Sequence, residues 1–153
     1  MHFDSLGRGD ACVLNTSACA PWASHLIAFE NMHFGPDFAW PREQTNVWAA
    51  SGAALQAAVI RNGNYVSASM SAFVASRDSC EQLVRGEIKE CELLPWDHDK
   101  TNGQPLLYFA SVISRDTEEL PFLYSSLAAD IEDYLDGAGL QLTHGLAIAA
   151  SAL

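Results

Sequence analysis

Basic residues are scarce in this 153-residue chain: eight Lys and Arg stand against 19 Asp and Glu, for a formal charge of −11. So few cations neutralise few phosphates, which argues against nucleic-acid binding and against docking on an anionic membrane. Long apolar runs are missing too, every one falling short of the roughly 18 residues that a membrane-spanning helix needs. The start, Met1-His2-Phe3-Asp4, has an early acid and no basic cluster before an apolar run, so it does not read as a signal peptide. No CxxC pair and no zinc-finger spacing joins Cys12, Cys19, Cys80 and Cys91, whose small or apolar neighbours suit free, buried thiols in a reducing, cytoplasmic setting. Asp97, His98 and Asp99 lie side by side in an exposed loop without distant partners, so no metal is expected.

What is present is one domain's worth of apolar sequence: 49% hydrophobic and 18% charged, enough for a core and too apolar for disorder. Ala11, Cys12, Val13 and Leu14 suit a short first strand. Pro21 opens a helix with Trp22, His25, Leu26 and Phe29 spaced by three and four, and Gly35-Pro36 stops it. A second helical stretch follows Pro41 through Val47 and Trp48. Residues 55–60 and 65–73 read as two strands joined by Arg61-Asn62-Gly63-Asn64, because Asn-Gly supplies the two positive φ angles of a tight hairpin. Period-two counting puts Val66, Ala68, Met70 and Ala72 on one face, and Tyr65, Ser67, Ser69, Ser71 and Phe73 on a half-wet other face. Asp78 or Ser79 caps a short helix that ends at Gly86, with Leu83 and Val84 turned inward. Residues 88–94 suit a strand halted by Pro95, and 106–113 a strand covered on both faces. Leu120, Leu123, Leu127, Ile131 and Leu135 then form one helical face over 121–136, and 140–150 returns to strand. Strand, helix, strand is a βαβ unit with a right-handed crossover. After Arg115 every charged residue is acidic. Such a run is either a solvated helix face or a surface that attracts a cationic amine.

This order of elements, and some of its wording, resembles the GCN5-related N-acetyltransferases. His25-Leu26-Ile27-Ala28-Phe29-Glu30 with Phe34-Gly35 resembles that family's first helix. Gly63-Asn64-Tyr65-Val66-Ser67-Ala68 resembles its hairpin, with Ser67 at the usual second glycine. The run from Tyr108 to Ser114 is similar to its central strand, and Gly145-Leu146-Ala147-Ile148-Ala149-Ala150 to the strand after the main helix. The resemblance implies an α/β fold with a mixed sheet, an antiparallel hairpin, a central strand, a βαβ unit and helices on both faces. It implies an acyl-CoA-dependent N-acyltransferase whose amine acceptor, a small molecule or a peptide, attacks the thioester directly. The donor, acetyl-CoA or another acyl-CoA, would lie along the backbone of Val112, Ile113 and Ser114, with its phosphates at the start of the main helix near Phe122, Leu123 and Tyr124. Glu90 and Glu30 are the candidate bases.

Two departures limit what carries over. Where the family has a glycine-rich phosphate loop, this chain has Phe122 and Tyr124 with Asp116, Glu118 and Glu119 nearby, and three carboxylates would repel a pyrophosphate. The alternative function is therefore a non-catalytic binding or interaction protein of the same fold. The chain also ends at Leu153, without the family's usual further helix and two strands. The expectation is a single domain over 1–153 whose last strand, around Leu146 and Ile148, is covered in a homodimer or by a missing partner chain.

Overall fold

A computed structural model describes residues 10–35, 40–96, 104–139 and 145–147, the last three by their strand alone. The described residues form one five-stranded sheet, ordered β1-β2-β3-β4-β5 as in the sequence. β1 (Ala11–Leu14), β2 (Ala54–Arg61), β3 (Tyr65–Ser76) and β4 (Pro105–Ser114) pair antiparallel. β5 (Gly145–Ala147) pairs parallel to β4. Around the sheet stand α1 (Thr16–Cys19), α2 (Ala23–Phe34), α3 (Arg42–Ser51), α4 (Arg77–Val84) and α5 (Leu120–Ala138). This is the mixed α/β architecture expected from the sequence, with its hairpin and its β4-α5-β5 unit.

Local chemistry explains the elements. Asn62 and Gly63 take φ of 53° and 67°, and Asn64 N–H closes the turn on Arg61 O at 3.1 Å, the two positive angles that a tight hairpin requires. The Asn15 carboxamide caps α1 by accepting from Ala18 N–H, so helix begins before Pro21, which sits in a 3-10 turn between α1 and α2. Ser76, rather than Asp78 or Ser79, caps α4. Gly139, at φ 68°, ends α5 in the left-handed conformation that glycine adopts without a Cβ clash.

Both faces of the sheet are covered. Leu123 and Leu127 of α5 pack with Ala57, Val59, Ala68 and Met70. Leu26 and Phe29 of α2 pack on the opposite face with Ala58, Ile60, Val66 and Ile113. Ile131 and Leu135 continue the apolar side of α5 as half-buried residues. Asp130, on the same helix, leaves the solvated acidic face and accepts from Thr16 N–H at 2.7 Å and from its hydroxyl at 2.6 Å, which ties α5 to α1. Glu132, Asp133 and Asp136 are exposed, as expected.

Four expectations are corrected. Val66 does not share the face of Ala68, because pairing passes from Val59↔Ala68 to Ile60↔Val66 and leaves Ser67 as an extra residue. A bulge of this kind reverses the alternation that period-two counting assumes. Ser67, Ser69 and Ser71 are buried rather than half-wet. Residues 88–94 form no strand: Glu90–Glu92 is a 3-10 turn, closed when Lys89 N–H donates to the Glu92 carboxylate at 2.7 Å. Val84 faces solvent rather than the core. Asp97, His98, Asp99 and Ile148 lie outside the described residues. No helix among the described residues is long and apolar enough to cross a membrane, and no group of three or more metal-ligating side chains occurs among them.

Candidate functional site

Glu30 and Glu90, far apart in sequence, are brought to one face of the sheet. Glu30 projects from the third turn of α2, one residue past the buried Phe29. Glu90 begins the 3-10 turn that follows α4. Burial holds the Glu30 carboxyl above the ordinary carboxylate range, the nearby charge of Glu90 adds to that, and a hydrogen bond from Ser71 acts in the opposite direction. Glu90 in turn accepts a hydrogen bond from the Tyr108 hydroxyl at 2.8 Å. Tyr108 is 1% exposed, and burial, followed by the Glu90 charge, pushes its phenol well above its usual range.

Beneath Glu30 the sheet is irregular. Ser71 pairs with Ser111, but the next pair is Ala72 with Phe109, so Ala110 is an extra residue on β4. A bulge disrupts the ladder locally and leaves backbone polar groups free to face something other than β3. The hydroxyl oxygens of Ser69 and Ser111 are also buried there without a hydrogen-bond partner. Buried polar atoms of this kind are rare in folded proteins and call for an explanation. One cross-strand pair, Ser71↔Ser111, therefore adjoins both the shielded carboxylate and the broken ladder.

The donor-binding residues inferred from the resemblance separate into two groups. Among the described residues, β4 pairs with β5 only at Leu107, Tyr108 and Phe109, and Val112 beyond them is 44% exposed. Arg115 N–H reaches Ser67 O of β3 at 3.5 Å. Strand alternation then turns the backbone groups of Ile113 toward β3 and those of Val112 and Ser114 toward the other edge. Ile113 is thus a core residue, with its side chain buried under α2. At the start of α5, Leu123 is fully buried and presents no surface to a ligand. Phe122 is half-buried against the core and Tyr124 is exposed.

The acids before α5 need recounting. Glu119 is 2% exposed and turns inward, accepting from the Arg61 guanidinium at 2.9 and 3.3 Å and from the Ser67 hydroxyl at 2.8 Å. Asp116 accepts from Glu118 N–H at 3.0 Å and caps the turn that leads into the helix. Of the three carboxylates expected to repel a phosphate, Glu118 alone is both exposed and unused in these contacts.

Tyr108 and Ser111 were not singled out from the sequence. A tyrosine inside an otherwise apolar strand was the available signal, since a buried hydroxyl must find a partner. Ser71 was visible as one of the serines on a single strand face, but Ser111 carried no signal without the fold.

No family model and no curated protein matches this chain. Solved structures similar to it include an aminoglycoside 6'-N-acetyltransferase from Acinetobacter baumannii, at 9% identity and a TM-score of 0.49, covering 93% of this chain and 81% of that one. Two aminoglycoside acetyltransferases from uncultured soil metagenomic samples are also similar. One, solved with trehalose, has 10% identity, a TM-score of 0.45 and coverages of 92% and 77%. The other has 11% identity, a TM-score of 0.46 and coverages of 94% and 81%.

Proposed function

We propose that the chain transfers an acyl group from an acyl-CoA donor to the nitrogen of an amine. The observation that carries this reading is the meeting of a shielded carboxylate and a β-bulge at one strand pair, Ser71↔Ser111. Glu30, whose proton is held to higher pH than that of an ordinary carboxylate, suits a general base working nearer neutrality. It takes a proton from the ammonium, and the freed lone pair attacks the thioester carbon. A C–N bond forms, the C–S bond breaks, and the departing thiolate takes the second proton from nitrogen. In this reading a backbone N–H at the Ala110 bulge polarises the thioester carbonyl, and the backbone of Val112 and Ser114 takes the donor's amides.

The residues fit the donor unevenly. The β4 edge suits an extended amide chain, whereas Glu118 and Tyr124 at the start of α5 make a poor phosphate cradle, so binding is weak in this reading. That same feature favours the second reading, a non-catalytic binding module. We place the reaction in the cytoplasm, in keeping with four free cysteines. A homodimer or partner chain covering the strand around Leu146 belongs to the same proposal.

The experiment is turnover of acetyl-CoA with a panel of amines (a polyamine, an amino sugar and a peptide with a free amino terminus), followed by release of the CoA thiol. Thiol release that needs an amine and is lost in Glu30→Gln supports the transferase. No release with any amine, together with no rise in melting temperature on adding acetyl-CoA, supports the binding module instead.

A further inference from the structure

Glu90 sits on a turn rather than within a long helix or strand. It lies on a short 3-10 turn, half-buried, and a glutamate there has solvent within reach. Tyr108 has no such freedom. It is on β4, 1% exposed and opposite Phe73 of β3, so its hydroxyl occupies a fixed point under the turn. The bond between them, 2.8 Å from Tyr108 Oη to Glu90 Oε2, ties a side chain on a turn to one fixed in the sheet. We infer that Tyr108 is a positioning residue, whose hydroxyl holds the Glu90 carboxylate toward Glu30 so that both acids serve one site. The inference rests on reading Glu30 as the base.

The geometry explains why a tyrosine serves where phenylalanine would pack as well. Glu30 is faced by Glu90 from the turn and by Ser71 from β3. Tyr108 is faced by Glu90 and, from α4, by Cys80. Neither Glu30 nor Glu90 has a basic partner among the ion pairs of the described residues. Like charges brought together without a cation are unfavourable unless something holds them there, and the Tyr108 hydroxyl is that hold. An arrangement of this kind has a use when a cation, such as an ammonium group, arrives between the acids.

The test is a carboxyl-carbon NMR titration of the full chain, comparing wild type with Tyr108→Phe, Glu90→Gln and the double variant. Released from the hydroxyl, Glu90 swings toward solvent and its charge leaves Glu30. The Glu30 midpoint then falls part of the way to the ordinary carboxylate range in Tyr108→Phe, and again in Glu90→Gln. The double variant moves it no further, because both changes remove one interaction. With any amine that is turned over, Tyr108→Phe lowers kcat by roughly 10- to 100-fold, and the acid limb of the pH profile moves down with the Glu30 midpoint. An unmoved Glu30 midpoint in a folded Tyr108→Phe chain overturns the inference, as do additive shifts in the double variant. Should Tyr108→Phe fail to fold, Glu90→Gln still decides, since an unmoved midpoint there means that Glu90 does not act on Glu30. If no amine is turned over, the titration judges Tyr108 by itself, and only the transferase reading has failed.

Discussion

Replacing Arg61 by methionine removes the cation from a carboxylate that has almost no access to water. Glu119 is 2% exposed and the Arg61 side chain 7%. With the guanidinium gone, Glu119 keeps one of its three hydrogen bonds, the one from Ser67 at 2.8 Å. Removing one partner of a buried pair costs about 3–5 kcal/mol. For a chain of this size that is a fall in melting temperature of about 6–20 °C, taking about 2–4 °C per kcal/mol. The pair also joins the β2–β3 hairpin to the entry of α5, so hydrogen exchange should rise at both. Calorimetry and urea unfolding of Arg61→Met measure the loss, and the double variant Arg61→Met/Glu119→Leu shows its origin. Apolar residues in place of a whole buried pair are often neutral, so the double variant should recover most of the stability. A single variant within about 1 kcal/mol of wild type, or a double variant as unstable as the single, would show that an unpaired Glu119 is not the source of the loss.

Two further outcomes follow from the same packing. Leu127→Ala, at a site 1% exposed between α5 and the sheet, should cost about 2–5 kcal/mol by urea unfolding. Glu30→Gln should act through pH. Since the folded chain holds the Glu30 carboxyl above its unfolded value, its contribution to stability is fully present below the unfolded value and is lost as pH rises through the folded one. The glutamine variant should therefore be more stable than wild type near neutrality and lose that advantage toward pH 4, as read from melting temperatures across that range.

Much of the scaffold was legible in the sequence because its signals are local. Asn62-Gly63 announces its own turn, and the spacing of Leu123, Leu127, Ile131 and Leu135 is that of one helix face. The misreadings arose where one residue breaks a period or where contacts are distant. Ser67 is a single extra residue, and it moves Val66 to the other face. Residues 88–94, halted by Pro95, were read as a strand, but Glu92 folds back on Lys89 N–H. Glu119 counted as a repelling acid until Arg61, from a different part of the chain, neutralised it. Glu30 and Glu90 could be named individually from the sequence, but their proximity, and the hold of Tyr108 on one of them, depends on how α2, the turn after α4 and β4 stack. Such tertiary placement leaves no local pattern.

In the proposed transferase, an acyl-CoA donor meets the chain along β4, beside the bulge at Ala110. Amide chemical shifts of the isotope-labelled chain, followed while acetyl-CoA is added, test it most directly. The expected result is weak, saturable binding with the largest changes over residues 110–114 and smaller ones at the start of α5. Saturation with changes confined to other parts of the molecule, or no change at millimolar acetyl-CoA, would contradict it.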